Sequence, residues 1–193
     1  MEVDPATIFR WVQKFGPEIA RRAYRHRSWR GLSWHVDETY IRVDRRWCYL
    51  WRAVDQRGQL VDFRLTARRN INAARAFLRQ ARETAQLYQP LSITTDKAPG
   101  YAKVTAELNR GRGPDDRIQH ITRRRHNNII ESDHAALKRL TNPMRGFRNL
   151  GTAKATLRGI ETIRTIRKHQ YETVEPGVGG ELKFLAALFP TAA

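Results

Sequence analysis

The sequence predicts a mixed α/β fold, in which a sheet that begins with three antiparallel strands is flanked by helices. Three consecutive runs rich in aromatic and β-branched residues, at 35–43, 46–54 and 59–67, have the composition of strands and are separated by short turns. A helical pattern then leads to a fourth strand-like run at 91–96, an order in which this strand returns parallel to the sheet. Because 193 residues can bury a substantial core, the fold needs neither disulfides nor a structural metal.

A short helix is predicted ahead of the strands. Asp4 is a good N-cap residue and Pro5 suits the first helical position. The apolar positions of this helix recur on one face, at Ile8, Trp11, Val12 and Phe15. We expect Gly16–Pro17 to end the helix and the basic stretch 21–30 to form a linker to the sheet.

Turn and cap residues mark the elements that follow. Asp44–Arg45 and the segment 55–58 supply the two turns between the first three strands. Asn70 is expected to cap a helix that extends to about Glu83. Further helices are predicted at 101–108, 128–140, 152–169 and 181–189, with a Gly/Pro/Asp/Arg-rich loop and a short segment at 120–122 between the first two.

The charge balance indicates a polyanionic partner. The chain has 36 Lys and Arg against 19 Asp and Glu, a formal net charge of +17 at pH 7, so nucleic acid is the expected partner. Cys48 is the single cysteine, which excludes an internal disulfide framework and a multi-cysteine zinc site and is typical of a reducing compartment. The longest apolar run, 184–189, is too short to span a bilayer, so we expect a cytoplasmic protein without a membrane partner.

Three acidic residues do not lie in turns or on obviously solvated faces. Asp37 lies inside the first strand, Asp96 ends the fourth, and Glu131 lies near the start of a helix with an apolar face. Such acids are costly unless they are paired or bind metal, and carboxylate oxygens are ligands for hard divalent cations. Two such ions about 4 Å apart can promote an in-line phosphodiester displacement. The alternative is that one or more of the three acids pairs with the many arginines.

Neighbouring residues add to this pattern. Lys138 follows Glu131 by seven residues, about two helical turns, so the sequence places both on one face, where the lysine could reach a phosphate. His35 and His134 are close in sequence to two of the acids, and we expect them to support the site or lie on the surface. Asp133 falls on a different helix face from Glu131 and is left out of the candidate set.

Several long motifs resemble the DDE transposases of bacterial insertion sequences, specifically the IS6-type (IS26-like) group. They are WHVDETYIRV, RWCYLWRAVDQRG, TTDKAPGY, NNIIESDHAALKR and GFRNLGTAKATLRGIETIR, and the resemblance extends from Val3 to the C-terminus. Asp96 and Glu131 are separated by 34 residues, which is the spacing that this group shows, and Lys138 stands where the group has its DDE(K) lysine.

The resemblance implies an RNase H-like fold with a mixed five-stranded sheet. It assigns Asp37, Asp96 and Glu131 to a catalytic triad that binds Mg²⁺ or Mn²⁺, with two ions expected, and Lys138 to contact with transposon-end DNA. The implied activity is cleavage at terminal inverted repeats and joining of the freed 3′-hydroxyl to target DNA, with cointegrates as products. The partners would be double-stranded transposon-end and target DNA and further copies of the chain, as a dimer or larger oligomer in a synaptic complex on the bacterial nucleoid.

Other basic residues are candidate DNA contacts. Lys97 follows Asp96 directly and could position DNA there. The arginine-rich segment 117–125 could line the DNA path or be a solvated basic loop. The expected further DNA contacts are Arg123, Arg124, Arg125 and Arg139.

The N-terminus departs from the family pattern. Family members begin with a helix-turn-helix region, whereas this chain starts inside it and keeps what resembles the recognition helix. We therefore expect a remnant and linker at 1–28, a catalytic domain at 29–170, a tail at 171–193, and weak binding to inverted repeats. The alternatives are a catalytically silent DNA-binding regulator of the full-length enzyme and an RNase H-like nuclease that hydrolyses without joining strands.

Overall fold

The computed structural model describes residues 4–28, 31–96, 99–122, 128–171 and 175–189. The chain forms two compact units, one from residues 30–147 and the other from residues 1–29 together with 148–193. Each unit has its own packed elements. Within the described ranges, no helix combines the length and the apolar character that crossing a membrane requires.

A five-stranded mixed sheet forms the centre of the 30–147 unit. Its strands are β1 Ser33–Val43, β2 Arg46–Asp55, β3 Leu60–Thr66, β4 Ser92–Thr95 and β5 Gln119–Thr122. Their order across the sheet is β3-β2-β1-β4-β5, in which β1, β2 and β3 pair antiparallel and β4 and β5 run parallel to β1. The predicted mixed sheet with three antiparallel strands first is confirmed.

Helices account for most of the remaining regular structure. In the part of the chain that the structure describes, the α-helices are α1 Pro5–Ala23, α2 Ile71–Ala85, α3 Pro99–Leu108, α4 Asn128–Thr141, α5 Leu150–Arg167 and α6 Gly177–Ala187. The Asn70 side chain accepts a hydrogen bond from the Ala73 N–H at 2.9 Å, as the sequence predicts for the cap of α2.

The tight turns between the first three strands contain left-handed backbone positions. Asp44 and Arg45 both have positive φ, 49° and 59°, which matches a two-residue hairpin between twisted strands. In the second turn the Asp55 carboxylate accepts hydrogen bonds from the N–H groups of Arg57 and Gln59, and Gly58 has a φ of 71°.

The two faces of the sheet carry different helices. Trp51 on β2 contacts Phe77 of α2 and Tyr101 of α3, with ring centroids 6.5 Å and 6.0 Å apart. Ile130 of α4 packs instead in a buried cluster with Val54 and its neighbours. Because successive side chains of a strand point to opposite faces, β1 can present one residue to α2 and α3 and the next to α4.

The other unit is helical, and it corrects one expectation. α1 does not end at Gly16–Pro17 but continues to Ala23, so the predicted linker begins with helix instead. A Cβ on Gly16 would lie 2.8 Å from the Gly159 Cα of α5, so the two helices pack at their glycines. This long-range packing offsets the hydrogen bond that Pro17 removes.

Candidate active site

Asp37 lies near the middle of β1, where the strand faces α4. Its partner across the antiparallel ladder is Arg52 of β2. The Oδ2 atom of Asp37 is 3.7 Å from Nδ1 of His134, a buried residue of α4. The Asp37 side chain is 22% exposed, so it is enclosed but still reached by solvent.

Asp96 directly follows β4 and comes alongside Asp37. The parallel ladder pairs His35 with Thr94, and each aspartate lies two residues further along the chain from that pair. The Asp96 carboxylate is close enough to act electrostatically on Asp37. The Thr95 hydroxyl donates to the Asp96 carbonyl at 2.8 Å and lies 2.9 Å from the His120 ring. These contacts fasten the end of β4 to β5, and Asp96 itself is about half exposed.

The pair of aspartates has an unfavourable charge environment. Burial, together with the neighbouring Glu38 and Asp96 carboxylates, raises the pKa of Asp37 to about 7, and Arg69 offsets only part of this effect. A cation close to the pair would remove the repulsion. The residues present therefore suit a hard cation. They offer carboxylate oxygens as ligands, and the positive charge around these carboxylates is too small to balance them.

Glu38 is a second carboxylate of β1 that the sequence reasoning did not single out. Its side chain is only 4% exposed, accepts a hydrogen bond from the Tyr101 hydroxyl at 2.7 Å, and pairs with Arg69. Burial and the nearby carboxylates raise the pKa of Tyr101, which keeps its phenol protonated as a donor. The same Arg69 lies 3.8 Å from Asp96. Because successive side chains of a strand point to opposite faces, the position of Glu38 next to Asp37 could have indicated that Glu38 faces α2 and α3.

The third candidate acid lies on a helix, whereas the two aspartates lie in and directly after strands. Glu131 is exposed on α4, one turn before His134. Among the described residues, no three Asp, Glu, His or Cys side chains form a preformed metal-binding group. The structure thus places Asp37 and Asp96 close enough for their charges to interact, and it relates Glu131 to Asp37 through His134, which lies on the same helix.

The buried side of α4 fixes where this helix lies on the sheet. Asp133 accepts hydrogen bonds from Arg52, at 3.0 Å from Nε, and both side chains are almost completely buried. Asp133 is therefore a structural partner of β2, which fits its omission from the candidate set. Lys138 and Arg139 are exposed further along α4. Four predicted DNA contacts fall outside the described residues: Lys97, Arg123, Arg124 and Arg125.

The chain is similar to known transposases over most of its length. Residues 31–170 match the family model of the IS240-type transposases, described as a DDE domain. The transposase for insertion sequence-like element IS431mec of Staphylococcus aureus strain Mu50 is 32% identical over 178 residues, which cover 91% of this chain and 75% of that protein. The S. aureus transposase of IS257 in transposon Tn4003 gives the same identity and coverage.

Solved structures show the same fold at lower identity. The catalytic core domain of HTLV-2 integrase, in complex with magnesium, superposes with a TM-score of 0.51 at 21% identity and covers 69% of this chain and 88% of that chain. The catalytic core domain of BIV integrase has a TM-score of 0.50 at 16% identity, and the match covers 82% of this chain and 95% of that chain. The predicted RNase H-like fold is confirmed. From the family match and the identity to the staphylococcal proteins, the chain belongs to the IS6-type DDE transposases, a family of polynucleotidyl transferases.

Proposed function

We propose that this transposase cleaves phosphodiester bonds at the terminal inverted repeats of its element and joins the freed 3′-hydroxyl to target DNA, with cointegrates as products. The observation that carries the proposal is the proximity of Asp37 in β1 to Asp96 directly after the adjacent strand β4. The catalytic domain would span residues 29–170. The family match supports transposition as the process in which this site acts.

Asp37, Asp96 and Glu131 are the proposed ligands of Mg²⁺ or Mn²⁺, with two ions expected. When bound, such ions supply charge stabilisation for an in-line displacement at phosphorus. The raised pKa of Asp37 supports this assignment, because the crowded carboxylates favour added positive charge. The HTLV-2 integrase core, which shares the fold, was solved with magnesium.

The protein's own groups would position these ligands. His134 lies against Asp37, and the pair of Asp133 with Arg52 holds α4 on the sheet. Glu131 is carried on the same helix, one turn away from His134, so the seating of α4 determines how far Glu131 is from the aspartates. The Thr95 hydroxyl fixes the backbone at Asp96.

Double-stranded DNA is the proposed substrate, both as transposon end and as target. The net charge of +17 supports it, because neutralised phosphates release counterions and favour binding. Lys138 and Arg139, exposed on α4, would contact the DNA backbone, as would Lys97 and the three arginines 123–125. We also propose a dimer or larger oligomer in the synaptic complex, acting on the nucleoid in the cytoplasm.

The test replaces Asp96 by Asn and measures strand transfer from a donor carrying the terminal inverted repeats. Asp96→Asn should abolish strand joining while duplex binding without divalent ions persists. The matched control is Asp115→Asn, an equal charge change at an exposed residue of a short 3₁₀ turn, which should remain active.

Three outcomes would contradict the proposal. Full strand joining by Asp96→Asn would remove the aspartate from the reaction. Wild-type protein that binds DNA but gives no product would favour the silent regulator. Cleaved ends without joined products would favour a nuclease.

A further inference from the structure

Arg69 is a cation already present at the edge of the carboxylate cluster. It comes immediately before the cap of α2, pairs with Glu38, and lies 3.8 Å from Asp96. Its side chain is 44% exposed, whereas the Glu38 side chain is 4% exposed. The carboxylate is thus fixed and the guanidinium lies at the solvent boundary.

Glu38 holds Arg69 from the opposite face of β1 to that of Asp37. The Tyr101 hydroxyl donates to Glu38 at 2.7 Å, which fixes the carboxylate against α3. Arg69 therefore has one firm anchor, Glu38, and one looser neighbour, Asp96. A shift of the guanidinium by a few ångströms could release Asp96 and keep the Glu38 pair.

A cavity of about 220 Å³ opens beside this arginine. Its lining includes Arg69, Asn70, Gly100, Tyr101 and Trp51. The guanidinium fork in this cavity matches the oxygens of a phosphodiester, which it can bind through two parallel N–H donors. Arg69 is shared between the lining of this cavity and the contact with Asp96, so a phosphate bound in the cavity would lie next to the carboxylate cluster.

An arginine next to metal ligands opposes metal binding. Like charges repel, so a guanidinium 3.8 Å from an Asp96 oxygen lowers the affinity of that carboxylate for a divalent cation. An incoming phosphate would compete with Asp96 for the same guanidinium. Binding of one ligand then favours the other, and the coupling must be reciprocal.

We propose that Arg69 binds a phosphodiester of the DNA strand that enters the carboxylate cluster, and that this contact draws its guanidinium from Asp96 and so couples DNA binding to metal binding. The inference rests on the proposed function, because it takes Asp96 to be a metal ligand. The inference adds a DNA-binding residue to the proposed function. It also explains how metal binding and DNA binding would strengthen each other.

The test measures two equilibria that need no catalysis: Mn²⁺ affinity by electron paramagnetic resonance without DNA, and duplex affinity by fluorescence anisotropy without metal. Arg69→Gln is compared with Arg68→Gln, an equal charge change at the adjacent exposed residue. In Arg69→Gln we expect Mn²⁺ affinity to rise by roughly threefold to tenfold. Duplex affinity should fall about tenfold at about 0.1 M salt, with the slope against log salt reduced by about 0.9. Arg68→Gln should change neither affinity by more than about twofold.

Opposite changes in the two affinities are the signature of the proposed coupling. A fall in both, as a merely structural role would give, overturns the proposal, and so does an Mn²⁺ affinity equal to that of wild type. Asp96→Asn is titrated in parallel to report on the proposed function. If Asp96→Asn leaves Mn²⁺ affinity unchanged, the metal site itself is wrong, whereas loss of Mn²⁺ binding there with a wild-type-like Arg69→Gln overturns only the role of Arg69.

Discussion

Replacing Asp37 by Asn should stabilise the metal-free protein at neutral and alkaline pH while removing a proposed metal ligand. Burial and the neighbouring carboxylates raise the pKa of Asp37 to about 7 in the fold, from an ordinary value of 3.8. The ionised side chain therefore destabilises the folded state. Asparagine has nearly the same shape and no charge, so the variant escapes this cost.

The size of the stabilisation by Asp37→Asn follows from the raised pKa of Asp37. A rise from 3.8 to about 7 sets an upper limit of about 4 kcal/mol, because each tenfold change in the ionisation constant is worth about 1.4 kcal/mol. Since the Asp37 side chain is 22% exposed, solvent screening reduces this, and we expect about 2 kcal/mol. For a chain of this size, that free energy raises the melting temperature by roughly 4–8 °C.

The stability difference between Asp37→Asn and wild type depends on pH. At pH values below 3.8 the carboxyl is protonated in both states and the wild type carries no penalty. As pH rises from 3.8 to about 7, only the unfolded state ionises fully, so wild-type stability is lost progressively relative to Asn. The difference between Asp37→Asn and wild type should thus be small near pH 4 and largest above pH 7.

Thermal unfolding in EDTA across this pH range measures the difference, and Asp115→Asn controls for the change in net charge. Adding Mg²⁺ should raise the melting temperature of the wild type more than that of Asp37→Asn, because a ligand of the folded state stabilises by mass action. If Asp37→Asn is no more stable than wild type at pH 8, or if its advantage does not shrink toward pH 4, the electrostatic account of this site is wrong.

Two further predictions concern the packing of helices. Asp133→Ala should cost about 3–5 kcal/mol in urea unfolding because it leaves Arg52 buried without this partner, and adding Arg52→Met should recover most of the loss. A double variant as unstable as the single one would contradict this. Gly16→Ala should destabilise the chain by about 1–3 kcal/mol, since its Cβ would lie 2.8 Å from the Gly159 backbone, whereas Gly179→Ala, with no atom within 4 Å, should cost nothing. Equal stability of the two alanine variants would show that the close helix contact does not matter.

The sheet could be predicted because its signals are local. The runs of aromatic and β-branched residues, the Asp44–Arg45 turn and the Asn70 cap each act within a few residues, and the structure has the strands and α2 at these places. The end of α1 could not be predicted in the same way. Pro17 is a local signal for the end of a helix. The helix nevertheless continues, because Gly16 packs against a residue of α5 far along the chain.

In the candidate site, too, the local features could be predicted from the sequence and the long-range contacts could not. The sequence predicts Asp37 inside one strand and Asp96 at the end of another that runs parallel to the sheet, and the structure adds that this strand, β4, pairs with β1. The pair of Glu38 with Arg69 could not be predicted, since Arg69 lies between elements and its direction depends on the start of α2. Likewise, the spacing selects Glu131, but its distance from the aspartates depends on the seating of α4.

The pair of Arg52 with Asp133 bears directly on the charge of Asp37. Arg52 stands opposite Asp37 in the β1–β2 register, where a guanidinium would ordinarily lower the pKa of the aspartate. Arg52 instead donates to Asp133 from Nε and Nη2, and the pKa of Asp37 is raised. Asp133 thus has two effects: it fixes α4 on the sheet and it binds the arginine closest in register to Asp37. The pKa of Asp37 is thus raised in a protein with a net charge of +17, because burial and neighbouring acids outweigh Arg69 and the facing Arg52 is paired with Asp133.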